Sequence, residues 1–285
     1  MDVPLPDSRN RTREPVWGWI ITAVAGISGM LAVPIIVLYL FLSGAGLFME
    51  NQAWTFFSLE WRPGDEVFGI LPLVAGTLTT AFLALLLAVP LGLGTVLHLH
   101  FFSGPRIQRM GEAALGILGG TPSVVFGLFG TVWLVPRLGP SLASGMLVLT
   151  AMILPTFALL ALAALRQIPK DLLTAGTGLG VSREQVVWHL AVKTIWPLLA
   201  AAATLALARG LGEALAVEMV CGNVSGIPSS LLQPVRTLTT TLVQEFEYAR
   251  GVHNQALHMV ALTVVLLAAS ASTFAFRLHA RKADL

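Results

Sequence analysis

Leu205-Ala-Leu-Ala-Arg209-Gly-Leu-Gly-Glu213-Ala-Leu-Ala-Val-Glu218 sets an arginine and a glutamate four residues apart inside an apolar run. The run extends from about Ile195 to Cys221, enough residues to cross a bilayer as a helix. A guanidinium at that depth is costly on any scale. A continuous helix would put Arg209 and Glu213 on one face, within pairing reach. Gly210 and Gly212 lie between them, where glycine weakens a helix. Two readings are open. The pair is a structural bridge between membrane helices, or it is an anion site in a transport pathway. In the second, Glu213 neutralises Arg209 when no anion is bound, and an arriving anion takes over the planar fork of guanidinium donors. Glu218 is nine residues from Arg209 and half a turn out of phase, so it belongs to another face.

Composition points the same way. The 285 residues are 55% hydrophobic and 11% charged, which describes a polytopic membrane protein with little room for a separate soluble domain. The one cysteine, Cys221, excludes an internal disulfide framework and a multi-cysteine metal site. His98 and His100 are two apart and no HExxH occurs, so they read as interfacial or loop residues and not as metal ligands. No nucleotide motif and no catalytic constellation is visible. The expectation is therefore no catalytic residue, no metal, no cofactor on this chain and no nucleic-acid partner. The polar start, Met1 to Glu14, and the long apolar run after it do not have the pattern of a cleavable signal peptide.

Six apolar runs can span a membrane: Val16–Leu42, Phe68–Leu97, Ala113–Val135, Ser141–Leu165, Ile195–Cys221 and Ala256–Phe276. With the N-terminus inside, the inner segments hold Arg9, Arg11, Arg13, Arg106, Arg109, Arg166, Lys170, Arg183, Lys193, Arg277, Arg281 and Lys282. The outer loops hold Arg62, Arg137, Arg236 and Arg250. That bias predicts cytoplasmic termini. Trp17 and Trp19 at the edge of the first run suit an interfacial belt.

Punctuation within the runs is uneven. Gly119-Gly-Thr121-Pro-Ser123 predicts a helix broken or kinked near the membrane centre. Backbone groups freed there must be satisfied internally or line a cavity. Arg166 to Lys193 is too long for a simple connection. Pro169 suits a first helical turn, Lys170 to Thr177 can form about two turns, and Gly178 and Gly180 stop them. Ser182 followed by Gln185 is a capping-box pattern for a second, amphipathic helix leading back into the membrane. Gly176-x-Gly178-x-Gly180 is not the dinucleotide spacing and has no βαβ unit around it, so this loop reads as a surface for a soluble partner. In the last outer loop, Pro234 to Tyr248 carries Leu238, Leu242 and Phe246 at helical spacing. That predicts a short amphipathic helix lying on the outer face, or equally a docking surface for an external partner.

The Arg166–Lys193 loop resembles the signature of permease subunits of ABC importers. The match runs through Thr174-Ala175-Gly176, then Gly180, then Leu190-Ala-Val192. Thr174 stands where the family has Glu, Gly176 where it has Ala, and Lys193 where it has Pro. Thr121-Pro-Ser-Val-Val-Phe-Gly-Leu-Phe-Gly130, Arg209 to Asn223, and Pro234-Val-Arg-Thr-Leu-Thr-Thr-Thr with Glu245 are similar to stretches of permeases of the phosphate-specific importer, C-type.

The resemblance implies an all-α, type I ABC importer permease fold in the bacterial inner membrane. It implies a permease domain over 68–276, after a tail, first helix and outer loop over 1–67 and before a basic tail over 277–285. The implied function is ATP-driven phosphate import by an assembly with an A-type permease, two ATPase subunits that hold ATP and Mg, and an external phosphate-binding protein. Membrane lipid surrounds the spans. Arg209, Glu213, Thr121 and Ser123 become substrate-pathway residues. Asp171, Thr174, Ala175, Gly176 and Gly180 become ATPase-coupling residues. The rival readings are a permease for sulfate or molybdate and an ion-driven secondary transporter.

Overall fold

The computed structural model describes residues 16–49, 53–169, 171–172 and 180–283. The chain is almost wholly helical. Long helices occupy five of the expected runs and a sharply bent pair occupies the sixth. The helices are α1 (Val16–Gly44), α2 (Leu71–Leu97), α3 (Pro105–Gly120), α4 (Ser123–Phe129), α5 (Leu142–Leu165), α6 (Val192–Leu211), α7 (Leu215–Glu218), α8 (Leu238–Glu245) and α9 (Gly251–Ala283). Between α1 and α2 the chain forms short helices and a two-stranded antiparallel ribbon, β1 (Trp61–Arg62) with β2 (Val67–Phe68).

Small residues let the central helices approach. Ala81, Ala84, Ala88 and Gly92 recur at helical spacing on α2 and are buried against α5. A Cβ at Gly92 would come within 2.8 Å of Phe157. The Thr150 hydroxyl of α5 donates to the Ala84 carbonyl of α2 at 3.3 Å. α6 packs between α5 and α9, and α1 rests on α9 alone among the long helices. The α1 side chains are correspondingly exposed along nearly their whole length, as suits a helix facing lipid.

The third run breaks where its sequence says it should. α3 and the helix that begins at Ser123 meet at 94°. Thr121 and Pro122 take extended backbone angles, because proline disfavours helical geometry in the residue before it. The Thr121 hydroxyl returns to the Ile117 carbonyl at 2.8 Å, which satisfies an acceptor freed by the break.

The fifth run differs at both ends from the expected Ile195–Cys221 helix. The helix begins earlier, at Arg183, with Ser182 and Gln185 forming the capping box. It then passes through a π-helical stretch, Val186–Ala191, into α6. It ends earlier, at Leu211, with Gly212 as its cap. Glu213 and Ala214 are non-helical, and the one-turn α7 follows. Arg209 and Glu213 are therefore not on one face of a continuous helix.

The outer helix α8 also differs from expectation. Leu238, Thr239, Thr240 and Thr241 are buried, so its first half is packed into the protein and does not lie on its surface. Thr237 caps it, and the Leu238 amide donates to the Thr77 hydroxyl of α2 at 2.9 Å. Gly76 makes the contact possible, since a Cβ there would fall 2.2 Å from the Arg236 carbonyl oxygen.

Candidate substrate site at the break in the fifth span

The break between α6 and α7 gives each charge its own helix end. Arg209 lies in the last turn of α6, where the negative end of the helix dipole favours a cation. Glu213 lies just before α7, and its Oε1 accepts from the Ala216 amide at 3.1 Å. A carboxylate satisfying an orphan amide of the next helix is a charge-assisted bond. This local accounting removes the need for the two side chains to meet. Arg209 and Glu213 form no ion pair among the described residues, which corrects the expected bridge. The Arg209 Nη1 instead donates to the Thr156 hydroxyl of α5 at 3.1 Å. Arg209 is exposed on the described surface and Thr156 is half-buried.

Tertiary contacts hold the break open. The Glu213 amide donates to the Gly210 carbonyl at 3.2 Å. The Glu213 carbonyl accepts from the Thr239 hydroxyl at 2.6 Å. Gly210 is packed against Leu149 and Ile153 of α5. Thr77, Thr80, Leu149, Gly210, Leu211, Glu213, Val217, Thr237 and Thr239 enclose a cavity of about 10 Å³, room for about one water. Glu218 Oε1 accepts from Gln244 Nε2 at 3.3 Å; the break before Leu215 removes the helical phase on which its expected separation from Arg209 rested.

Thr121 and Ser123 flank the break in the third run. Gly119 at that break is set against α5: a Cβ there would meet Pro155 at 3.8 Å, one residue from Thr156. No hydrogen bond joins Thr121 or Ser123 to Arg209 or Glu213 among the described residues. The two broken helices thus approach the same level of α5 without their polar side chains meeting.

Family comparisons bear directly on this broken, charged span. Residues 88–283 match the family described as binding-protein-dependent transport system inner membrane component, and that stretch contains α5, α6, Thr156, Arg209 and Glu213. The chain belongs to this family. It is 30% identical over 274 residues to the probable ABC transporter permease protein YqgH of Bacillus subtilis, covering 91% of this chain and 89% of that protein. It is 29% identical over 235 residues to the phosphate transport system permease protein PstC of Pasteurella multocida, covering 73% of each. Among solved structures it is similar to a chain of the methionine ABC transporter MetNI, with a TM-score of 0.54 and 19% identity over 80% of this chain and 98% of that one. The fold is that of a type I ABC importer permease, and the protein is a multi-pass inner-membrane protein.

As a transport-system membrane component the chain needs a link to its neighbours at one end of the bundle. Gly180 has a φ of +76° and is exposed, a left-handed position that suits glycine at a helix stop. Asp171 is also exposed. Thr174, Ala175 and Gly176 lie outside the described residues. The loop is anchored on both sides. Arg166, which closes α5, pairs with Glu112 of α3 at 2.5 Å, and Gln108 donates to the same carboxylate at 3.0 Å. Arg183 stacks over Phe102, 5.4 Å from the ring centre.

Two groups of polar side chains escaped the sequence. Thr156 was hidden in a plain apolar run, although Pro155 beside it marks a place where helix backbone bonding is interrupted. At the other end of the bundle, Arg236 pairs with Glu245 at 2.5 Å and donates to Gln244 and to the Asn223 carbonyl. Glu245 also accepts from Trp61 Nε1 at 3.0 Å and bonds His253 at 2.9 Å. This network ties β1, α8 and α9 together, and no short-range spacing announces it.

Proposed function

We propose that this chain is the C-type permease of an ATP-driven inorganic phosphate importer, forming half of the translocation pathway. The observation that carries the reading is Arg209: an arginine in an apolar helix whose guanidinium has a hydroxyl partner and, among the described residues, no carboxylate. A planar set of charged donors in that condition is suited to a tetrahedral oxyanion. The similarity to PstC permeases supports phosphate as that anion.

In this reading the substrate pathway uses Arg209, Glu213, Thr121 and Ser123. Glu213 keeps its second carboxylate oxygen free of protein partners among the described residues. That oxygen accepts a hydrogen bond from a protonated phosphate oxygen, which fully deprotonated sulfate cannot offer. The break in α6 separates the two charges along the path, so they act in sequence. The termini are cytoplasmic, and the loop over 166–193 docks on the ATPase through Asp171, Thr174, Ala175, Gly176 and Gly180. The chain itself hydrolyses nothing. ATP and Mg are held by two partner ATPase subunits, a second permease supplies the other half of the path, and an external binding protein delivers phosphate.

The test is co-purification followed by uptake in vesicles. An ATPase and a second permease are expected to co-purify, and Gly180→Asp is expected to release the ATPase while the permease stays inserted. Phosphate uptake should require ATP. Uptake of molybdate or sulfate in its place would overturn the substrate assignment, and transport without ATP would overturn the class.

A further inference from the structure

The Arg209–Thr156 contact stands at one end of a groove between α5 and α6. Leu160, Ala163, Ala164 and Gln167 line it from the α5 side, and Leu198, Ala201, Ala202 and Leu205 from α6. Its volume is about 120 Å³. Leu160 is one turn from Thr156 and Leu205 one turn from Arg209, so the groove continues the face that carries the pair. At its far end lies Gln167, just beyond the close of α5, exposed and with no side-chain partner among the described residues.

Thr156 is unusual among its neighbours. On α5 and α6 the other threonines, Thr150, Thr194 and Thr204, donate their hydroxyl protons to the carbonyl four residues earlier. That is the ordinary fate of a threonine in an apolar helix. Thr156 makes no such bond among the described residues. Its oxygen accepts from Arg209, and its proton is left uncommitted beside the guanidinium. A hydroxyl can donate once while accepting, so Arg209 and Thr156 together present donors from two different helices to one point.

We infer that Thr156 is a second ligand for the transported anion, and that the groove beneath it, ending at Gln167, is the inward release route. The inference rests on the anion-importer reading above and adds to it a specific donor and a direction. The wall chemistry suits release. An anion must be held strongly enough to enter and weakly enough to leave. Ala163, Ala164, Ala201 and Ala202 give space and carry no charge that would trap it. The next polar group after Thr156 is the Gln167 amide, whose NH₂ donates to an anion leaving at the mouth.

The experiment uses the assembled complex in vesicles, with inorganic phosphate as the probe and co-purification as the measure of assembly. Thr156→Val keeps the shape and removes the donor. It is expected to raise the KM for phosphate roughly tenfold, the loss of one hydrogen bond to a charged ligand. Thr156→Ser restores the hydroxyl and is expected to return KM to within about twofold of the parent. Ala163→Phe, at an exposed groove position, is expected to lower kcat several-fold with little change in KM. An unchanged KM in Thr156→Val, or equal damage from Val and Ser, overturns the ligand role. Unchanged kcat in Ala163→Phe overturns the route. A parent complex that moves molybdate and not phosphate overturns the phosphate reading instead, and the same KM comparison on molybdate then decides Thr156.

Discussion

Arg209 and Arg236 flank the same stretch of chain and are held in opposite ways. All three guanidinium nitrogens of Arg236 are engaged: a carboxylate, an amide side chain and a backbone carbonyl accept from it, and its side chain is only 19% exposed. Among the described residues Arg209 has one hydroxyl partner, and it is exposed. A charge paired with a carboxylate and bonded through every nitrogen locks elements in place, because removing one partner strands the others. A charge with donors to spare is available to something that comes and goes. The comparison separates an arginine that ties three elements together from one that the proposed function assigns to transport.

The sharpest way to break that comparison is to remove the two charges in parallel. Arg209→Gln is expected to lower phosphate uptake by about a hundredfold or more, through loss of charged, multiple donors, with the complex still assembled. Normal uptake in an intact complex would sink the site. Arg236→Gln is expected to do the reverse. It should destabilise the fold by about 2 kcal/mol, reduced from the cost of breaking a fully buried pair because this one is partly solvated. Thermal unfolding of the purified complex reads the loss, while uptake per assembled complex stays near the parent. If Arg236→Gln spared stability and abolished uptake, the two arginines would not differ in kind.

A smaller effect tests the packing that supports both regions. Gly145 of α5 lies against Cys221, and a Cβ there would fall 2.1 Å from Sγ. Gly145→Ala is expected to cost about 1–3 kcal/mol by overpacking. Cys221→Ala should recover most of that loss in the double variant, measured as a double-mutant cycle in thermal stability. The smallest change expected is in Glu213→Gln. The amide oxygen can still accept from Ala216, so stability should move by less than about 1 kcal/mol. Discrimination between phosphate and sulfate should shift by about two- to fivefold in competition uptake, since Gln cannot supply the same charged acceptor. An unchanged ratio would confine Glu213 to capping α7.

Much of this was legible in order along the chain. The apolar runs located the spans, Pro122 after Gly119-Gly-Thr121 located a break that is now a 94° turn, and Ser182 with Gln185 located a helix start to the residue. Each is a local rule: span length, the steric effect of proline, and the satisfaction of the first amides. Gly180 has a left-handed backbone, while most of the short helix expected before it lies outside the described residues. The expected pairing of Arg209 with Glu213 failed because it assumed an unbroken helix. Gly210 and Gly212 permit either outcome. The outer helix α8 failed for a related reason. Its spacing predicts a helix lying on the outer face, yet its threonines are buried as caps and cross-links.

By itself the sequence determined a polytopic helical permease, where its spans lie, and that a charge sits inside one of them. Those follow from hydropathy, helix geometry and proline sterics, which act over a few residues. Tertiary structure alone decided that the charged span ends at Leu211 and that Arg209 turns to Thr156. Ending a helix in an apolar setting frees backbone carbonyls that water cannot reach. Here the Thr239 hydroxyl, brought from another element 26 residues away, satisfies the one at Glu213, and the Ala216 amide holds one oxygen of its carboxylate. With both needs met elsewhere, the glutamate no longer holds the arginine, and the guanidinium is left to face the groove.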